Sequence, residues 1–528
     1  MEERSGRRRA TQVLAFACIY LTSCDLVHAQ PAAYPEFPYC SKHVEQNVIE
    51  RLPSPDQYKL QQVQIVMRHG ARVLASHSFC WAGYNVTWTC NARMHVSPSL
   101  EVGGALSSHH VYDNKYLDGE TVLKGNCHIG QLLDEGYNQK VENGRIFRKA
   151  YVETNQLFRS DEQIDLSNSN DFYLSSTDMQ RTVMSGQLVI DAMFPPAVTS
   201  DAVVPWHIGD IAQSSYVPNP SSCPKLADIK AQYESSAGYI QWHDAHAPVV
   251  NLTKTIFDTY DERILFDCLL TSRCSMPSSL PPTLSVAQYD SIVNYERDKR
   301  MKIYTEDPLY SKVSMAKVLL SIRNRILARV HGDGPRFALY SGHDDTVMPI
   351  LAALGGSAWL LDWPPYAAFL AMELYADANN ATAHFVRFIY QGKPLTLPGC
   401  RSDKLCPLEL LLAATDYATD PNVCKASFKG PTTAMPIPVA ASSDGETHVS
   451  FKALVLFVFV GLLLGVVFGL IIARTFAKNN QASSLSATDA RSDSDSKALT
   501  IQTDYDDLNK GDVDERDELL SSQSPKHE

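Results

Sequence analysis

The sequence has no excess of basic residues, no internal repeat and no pair of cysteines at CxxC spacing. Its 528 residues contain 47 Lys and Arg against 59 Asp and Glu, which gives a formal net charge of −12. The longest basic run, residues 7–9, lies at the extreme N-terminus, so we expect no nucleic-acid partner. Hydrophobic residues make up 45% and charged residues 20%, which excludes a collagenous, a wholly disordered or a polytopic membrane chain.

The N-terminal 29 residues have the organisation of a secretory signal peptide. Basic residues are concentrated in residues 1–9, an apolar stretch follows from about Val13 to Leu21, and a small-residue site ends at Ala29. This apolar stretch is too short to span the roughly 30 Å hydrocarbon core of a bilayer. We therefore predict that residues 1–29 are cleaved and that the following region enters the secretory lumen.

A second apolar segment, residues 453–473, is uncharged and long enough to cross a bilayer as a helix. A glycosylphosphatidylinositol signal is the alternative, but it would end the chain, and here an acidic segment follows. The sequence thus predicts a type I membrane protein with residues 30–445 in the lumen. Gly461, Gly465 and Gly469 recur at every fourth position of the segment, which would allow two such helices to pack as a homodimer.

Residues 474–528 carry 12 acidic and 7 basic residues and almost no aromatic ones, a composition typical of a disordered cytosolic tail. Two short patterns in this tail resemble sorting signals, a tyrosine-based motif at Tyr505 and Leu508 and an acidic dileucine motif at Glu515, Leu519 and Leu520. We expect them to bind clathrin adaptor-type sorting machinery. The predicted location is the lysosomal or endosomal membrane, with the plasma membrane as the alternative.

The luminal region has the features of a disulfide-bonded glycoprotein. Ten of the 12 cysteines remain after the signal peptide, and all ten precede residues 453–473. An even number of cysteines in an oxidising compartment predicts a disulfide framework, whose connectivity these positions leave open. Asn85, Asn251 and Asn380 each begin an Asn-x-Thr sequence and are predicted glycosylation sites on the surface.

Short apolar runs alternate with helical stretches through this region, which predicts an α/β fold. The sheet is expected to be mostly parallel and flanked by helices. The runs that we interpret as strands are residues 63–67, 172–175, 337–341 and 385–390. Residues from about 195 to 330 contain little strand pattern and are predicted to form an inserted, mainly helical cap.

Charged side chains follow three of the predicted strands. Arg68, His69 and Arg72 come directly after the first, and arginine forks on both sides of an imidazole favour bound phosphate. A second motif, His343-Asp344, follows another of these strands. Taken alone, the first motif would also fit a basic surface turn, and the second would also fit the capped start of a helix. Because the carboxyl ends of parallel strands meet at one edge of a sheet, we expect both motifs and a third segment, which contributes Arg181, to form one phosphate pocket.

The chain resembles the histidine acid phosphatases, branch 2 of the histidine phosphatase superfamily, from about residue 63 to residue 424. The motifs VMRHGAR, SSTDMQRT and LYSGHDDTV are similar to the three signature segments of that family. Weaker similarities occur at residues 130–136 and 397–409. The membrane layout is similar to that of lysosomal acid phosphatases, and parts of the sequence to the 2-phosphoxylose phosphatase subgroup.

The resemblance implies a role for each residue of the pocket. His69 would be the nucleophile that becomes a phosphohistidine, and Asp344 would be the proton donor. The phosphate oxygens would be held by Arg68, Arg72, Arg181 and His343, and no metal or cofactor would be needed. The expected activity is hydrolysis of phosphate monoesters by a membrane-anchored acid phosphatase. The alternatives are a narrow-specificity sugar-phosphate or inositol-phosphate phosphatase and a non-catalytic receptor or adaptor that retains the fold.

The sequence departs from the family pattern beside both catalytic motifs. Asp345 stands where members often have Thr or another small residue, which adds a negative charge near the phosphate and would alter the pH dependence. Val73 and Leu74 follow the first motif where many members have a proline. The resemblance implies a Cys400–Cys406 disulfide bond, and Cys223–Cys424 is a further candidate. Phe369 stands where prostatic and lysosomal acid phosphatases have a cysteine, so Cys268 and Cys274 are expected to pair locally.

Overall fold

A computed structural model describes most of the predicted luminal region. The described residues are 37–52, 54–75, 80–91, 94–100, 106–113, 123–159, 161–195, 204–257, 262–401 and 405–426. The predicted signal peptide, the apolar segment 453–473 and the tail with its sorting motifs lie outside these residues. Within the described ranges, no helix is both long and apolar enough to cross a membrane.

Most of the strands belong to one central sheet. The strands of the described residues are β1 (Tyr58–Arg68), β2 (Thr87–Trp88), β3 (Met94–Leu100), β4 (Leu106–Asp113), β5 (Lys124–Gly125), β6 (Phe172–Thr177), β7 (His207–Gly209), β8 (Phe337–Gly342), β9 (Phe369–Asp377), β10 (His384–Tyr390), β11 (Lys393–Leu395) and β12 (Cys406–Pro407). The central sheet has the order β11-β10-β9-β1-β8-β6-β7, and β12 pairs with β10. β2 pairs with β5, and β3 pairs with β4.

The α/β class is confirmed, but the sheet is mixed rather than mostly parallel. Strands β1, β8, β6 and β7 are parallel, whereas β9, β10, β11 and β12 pair in antiparallel fashion. Among β9, β10 and β11 this pairing follows from the short connections in the last part of the chain. Gln391 and Gly392 join β10 to β11 with φ values of 50° and 75°, as in a two-residue hairpin turn. Connections of this length cannot carry the crossover that parallel neighbours need.

Helices flank the sheet on both faces. The helices of the described residues are α1 (Asp134–Arg148), α2 (Gln180–Met193), α3 (Lys225–Glu234), α4 (Ala237–Ala245), α5 (Ala247–Phe257), α6 (Glu262–Ser275), α7 (Val286–Glu306), α8 (Pro308–Val330), α9 (Asp344–Gly355) and α10 (Leu408–Ala414). Helix α1 continues into a π-helical segment, Lys149–Thr154. Helices α3–α7 lie within the segment that was expected to form a cap.

The central strand β1 is buried on both faces, so it serves two hydrophobic cores. Ile65 and Met67 point into one core, together with Phe147 of α1 and Val189 of α2. The alternate residue Val66 points into the other core, which α8 and α9 complete. This arrangement follows from the two-residue period of a strand, and it holds the end of β1 rigidly between two layers of helices.

Five disulfide bonds connect ten cysteines of the described residues. They are Cys40–Cys274, Cys80–Cys268, Cys90–Cys127, Cys223–Cys424 and Cys400–Cys406. The last two coincide with expected pairs. The expected Cys268–Cys274 bond is wrong, because both cysteines lie in α6. Six residues of helix separate them by about 9 Å along the axis, which exceeds the Cα distance that a disulfide can bridge.

The three predicted glycosylation sites are all exposed. Asn85 lies in the loop before β2, Asn251 lies in α5, and Asn380 lies between β9 and β10. Exposure of the asparagine is what attachment of a glycan requires. Glycosylation itself remains a prediction.

Tryptic digestion without reduction distinguishes the two cysteine pairings of α6. Trypsin cleaves after Arg273, which separates Cys268 from Cys274. We expect the Cys268 peptide to be linked to the Cys80 peptide, and the Cys274 peptide to the Cys40 peptide. Mass spectrometry of the purified luminal region would identify these links, and a Cys268–Cys274 linked pair would contradict the structure.

Candidate active site

The register of β1 against β8 brings two histidines together. These strands are parallel, and Arg68 is opposite Gly342, so the next residues, His69 and His343, leave the sheet side by side. Their rings lie 5.6 Å apart in an edge-to-face arrangement. The two main sequence motifs therefore meet at the carboxyl edge of the sheet.

The neighbouring strand β6 adds the third segment of the site. It is parallel to β8, and its last residue, Thr177, places Oγ1 3.0 Å from Nε2 of His343. The hydroxyl of Thr182 lies 2.8 Å from the same Oγ1 and connects it to α2. Arg181 lies in the first turn of this helix and lines the same cavity as His69.

The imidazole of His69 is held in one orientation and is 1% exposed. Its Nδ1 lies 2.8 Å from the carbonyl oxygen of Gly70. A carbonyl oxygen can only accept, so Nδ1 carries the proton and Nε2 keeps its lone pair. Burial, together with the positive charges of Arg181 and Arg68, holds the pKa of His69 well below its usual range. The imidazole of His69 is consequently neutral even at acidic pH, and its Nε2 lone pair is available.

Arg68 is fully buried and bound on several sides. One guanidinium nitrogen, Nη1, donates to the carbonyl oxygen of Pro364 at 2.6 Å. The other, Nη2, donates to the Tyr39 hydroxyl at 2.6 Å and lies 2.9 Å from Oδ2 of Asp344. The rings of Tyr39 and Tyr366 lie 4.8 and 4.5 Å from the guanidinium carbon. Arg68 thus contributes a fixed positive charge that orients Asp344.

Asp344, the predicted proton donor, begins α9 and faces Arg68. Its Oδ2 also accepts a hydrogen bond from Nε1 of Trp363 at 3.0 Å. Burial raises the pKa of Asp344, but the charges of Arg68 and Arg72 outweigh it and lower that pKa to about 2. A phosphate that enters beside Asp344 adds negative charge and so raises the pKa of Asp344. A higher pKa favours the protonated carboxyl group, which is the state that a proton donor needs.

Arg72 has an acidic partner from a distant helix. Its Nη1 lies 2.7 Å from Oδ1 of Asp267 in α6. The second oxygen of Asp267 accepts a hydrogen bond from the backbone N–H of Ala75 at 2.7 Å. Asp267 therefore fixes both the guanidinium of Arg72 and the loop that follows β1.

Arg181 has no acidic partner among the described residues. It is 8% exposed, and its Nε makes no hydrogen bond. Burial and the charge of Arg72 lower the pKa of Arg181 to about 9, so the side chain is still positively charged at acidic pH. A buried, uncompensated guanidinium is costly, and a phosphate oxygen would supply the missing partner.

The cavity extends from this phosphate end into the cap. Its volume is about 830 Å³. The cap side is lined by aromatic and charged side chains, including Tyr233, Phe266, Arg300, Tyr304 and Tyr310. The space is therefore much larger than a phosphate requires, and it can hold the alcohol part of an ester. No cluster of three or more metal-ligating side chains occurs in the residues that the structure describes.

The six predicted site residues, Arg68, His69, Arg72, Arg181, His343 and Asp344, converge at this edge of the sheet. Sequence reasoning missed Tyr39, Asp267 and Trp363, which hold three of them in place. Each lies far from the signature motifs in the sequence, and no local pattern marks it. Thr177 was part of a quoted motif, and its position at the end of a predicted strand could have indicated its role.

Several known proteins are similar to this chain. A sequence profile of the histidine phosphatase superfamily (branch 2) matches residues 59–391. Counting factor 60 of Dictyostelium discoideum is 27% identical over 387 residues, which cover 70% of this chain and 89% of that protein. Lysophosphatidic acid phosphatase type 6 of Mus musculus is 26% identical over 393 residues, with coverages of 71% and 87%. For 2-phosphoxylose phosphatase 1 of Xenopus tropicalis the identity is 26% over 394 residues, with coverages of 67% and 74%.

Substitution of Gly130 by Ala tests the position of Arg181. Gly130 has a φ of 70°, and an added Cβ would lie 2.7 Å from Nη1 of Arg181. Displacement of this guanidinium should raise the KM for p-nitrophenyl phosphate by about tenfold, the effect of losing one charged hydrogen bond. Steady-state kinetics near pH 5 would measure it.

Gly332→Ala is the matched control for this substitution. Gly332 has a φ of 94°, and nothing lies within 4 Å of its added Cβ. Both variants should lose about 1–2 kcal/mol of stability from the left-handed backbone, but only Gly130→Ala should change KM. Equal KM values in the two variants would contradict the assigned position of Arg181.

Proposed function

Since the chain belongs to branch 2 of the histidine phosphatase superfamily and is an acid phosphatase, we propose that it hydrolyses phosphate monoesters through a phosphohistidine on His69. The observation that supports this most directly is the fixed tautomer of His69, whose Nε2 lone pair faces a cavity lined by Arg72 and Arg181. One of these two guanidinium groups, Arg181, has no acidic partner among the described residues. A bound phosphate dianion, together with one proton taken up by Asp344, would balance this remaining positive charge.

The first half of the reaction forms a nitrogen–phosphorus bond. Nε2 of His69 attacks phosphorus as the bond from phosphorus to the ester oxygen breaks. Arg72, Arg181 and His343 stabilise the charge on the transferring phosphoryl group. Asp344 is ionised in the empty site, so it takes up one proton from solvent as the phosphate dianion binds. It gives this proton to the departing oxygen, so the leaving group departs as a neutral alcohol.

The second half of the reaction restores the enzyme. Asp344, now ionised, accepts a proton from a water molecule that attacks phosphorus. The bond between Nε2 and phosphorus breaks, inorganic phosphate is released, and Asp344 again carries the proton. The contacts of Asp344 with Arg68 and Trp363 keep its carboxyl group at one position in both halves.

We also propose that the enzyme is a type I protein of the lysosomal or endosomal membrane, with the catalytic region in the lumen. Five disulfide bonds and three exposed Asn-x-Thr sites support a luminal environment. The apolar segment 453–473 would be the membrane anchor, and glycines at every fourth position within it would permit a homodimer. The tail motifs would bind clathrin adaptor-type sorting machinery.

The covalent step is tested by trapping the intermediate. The purified luminal region should hydrolyse p-nitrophenyl phosphate near pH 5, and His69→Ala should reduce kcat by roughly 10³-fold or more. After brief mixing with ³²P-labelled substrate and quenching, the wild type should carry an acid-labile, alkali-stable label, and His69→Ala should carry none. Equal turnover by the two proteins would contradict the proposed function.

The role of Asp344 is tested in the same assay with two leaving groups. Asp344→Asn should reduce kcat/KM for propyl phosphate by about 10²–10⁴-fold, because propanol needs a proton to depart. The loss should be much smaller for p-nitrophenyl phosphate, since p-nitrophenolate leaves without one. Similar losses for both substrates would assign Asp344 a role other than proton donation.

The membrane location is tested with the full-length chain in cells. Combined Tyr505→Ala, Leu519→Ala and Leu520→Ala substitutions should increase the fraction at the cell surface several-fold, as measured by surface biotinylation. Leu485→Ala, also in the tail but outside both motifs, is the control. An unchanged surface fraction in the triple variant would exclude these motifs as the sorting signal.

A further inference from the structure

We propose that Asp345 is a specificity-determining residue that contacts the leaving group. It would favour phosphate monoesters whose alcohol carries a hydrogen-bond donor, a hydroxyl or ammonium group close to the ester oxygen, over esters with a second anionic group there. This inference rests on the proposed function.

Asp345 lies next to the proton donor and faces the same cavity. It is the second residue of α9, and its backbone N–H donates to Oδ1 of Asp344 at 3.1 Å. The Asp345 side chain lines the cavity together with His69. Its carboxyl group makes no hydrogen bond or ion pair with any of the residues that the structure describes, so it is available to a ligand.

The position of Asp345 corresponds to the alcohol part of a substrate. The phosphate is bound where His69 and Arg181 meet, and the ester oxygen must face Asp344. The carboxyl group of Asp345, the next residue of α9, then lies towards the cap. There its negative charge raises the pKa of Tyr304 and of Tyr310. A donor on the first carbons of the leaving group would therefore come within reach of Asp345.

The charges around Asp345 make this selection dependent on pH. Burial and the negative charge of Asp344 raise the pKa of Asp345 to about 7, against the opposing effect of Arg300 and Arg68. The charged and titratable groups that act on it are Asp344 on its own helix, Arg300 and Tyr304 on α7, Tyr310 on α8 and Arg68 at the end of β1. In the free enzyme, whose ionisation kcat/KM reports, the carboxyl group is neutral below this pKa and an anion above it.

Two consequences follow for substrates. At acidic pH a neutral carboxyl group tolerates most leaving groups, whether or not they are charged. As the pH rises through about 7, the carboxylate attracts an ammonium group and repels a second carboxylate or phosphate. Selectivity between cationic and anionic leaving groups should thus increase with pH, which a purely structural role of Asp345 would not produce.

Four phosphate monoesters of similar size provide the test. They are propyl phosphate, hydroxyethyl phosphate, aminoethyl phosphate and phosphoglycolate, and kcat/KM is measured for each at pH 5 and pH 7.5. Wild type is compared with Asp345→Asn, which keeps the shape but cannot ionise. Asp333→Asn, in the exposed turn after α8, is the matched control.

We expect kcat/KM for aminoethyl phosphate, relative to that for propyl phosphate, to rise with pH in the wild type. In Asp345→Asn this ratio at pH 7.5 should be about tenfold lower, as for the loss of one charged hydrogen bond, and should not vary with pH. In the same variant, kcat/KM for phosphoglycolate relative to that for propyl phosphate should increase. The corresponding ratio for hydroxyethyl phosphate should fall, but by less than the ratio for aminoethyl phosphate. Intrinsic differences between the leaving groups cancel when the ratios of the two proteins are compared.

Failure of this inference is distinguishable from failure of the proposed function. Ratios that are equal in wild type and Asp345→Asn, with His69-dependent hydrolysis of p-nitrophenyl phosphate intact, would overturn the role of Asp345 alone. Absence of any His69-dependent hydrolysis would overturn the proposed function. Thermal melting of each variant identifies loss of folding, and in that case Asp345→Thr replaces Asp345→Asn in the same comparison.

Discussion

Parallel pairing of β1 with β8 is the constraint on which the site depends. Because Arg68 is opposite Gly342, the proposed nucleophile His69 emerges next to the motif that contains Asp344, the proposed proton donor. A register shift of one residue would turn the buried residues of β1 into the opposite cores. The two hydrophobic cores therefore define the catalytic geometry as well as the stability of the sheet.

The site concentrates positive charge on arginine side chains that are largely buried. Arg68 and Arg72 form ion pairs with Asp344 and Asp267, whereas Arg181 forms an ion pair with none of the described acids. This imbalance suppresses protonation of His69 and prepares the site for an anion before one arrives. Because these charged groups are already in place, they can stabilise the charge of a transition state without reorganising. Burial of these charges lowers the folding stability, and the packing of the two hydrophobic cores offsets this loss.

Features encoded in short segments were predictable from the sequence, and features that depend on distant segments were not. Apolar runs followed by charged residues located the strand ends and the six site residues. The antiparallel half of the sheet was missed, although Gln391-Gly392 between two strand-like runs carries a hairpin signal. Asp267 and Arg72 are separated by 195 positions in the sequence, so only the three-dimensional fold reveals their pairing. The error at Cys268 and Cys274 came from treating nearness in sequence as nearness in space.

Helix α6 carries Asp267 together with two cysteines, and each cysteine is bonded to a segment that precedes α1. The loops closed by these bonds span 234 and 188 residues, so they remove much of the conformational freedom of the unfolded chain. They also attach the helix that carries Asp267, the counterion of Arg72, to the polypeptide on both sides of His69. A chain that never encounters an oxidant would possess every signature motif and still lack the covalent links that hold this acid in position. The geometry of the site therefore depends on formation of these two disulfide bonds as well as on the signature motifs.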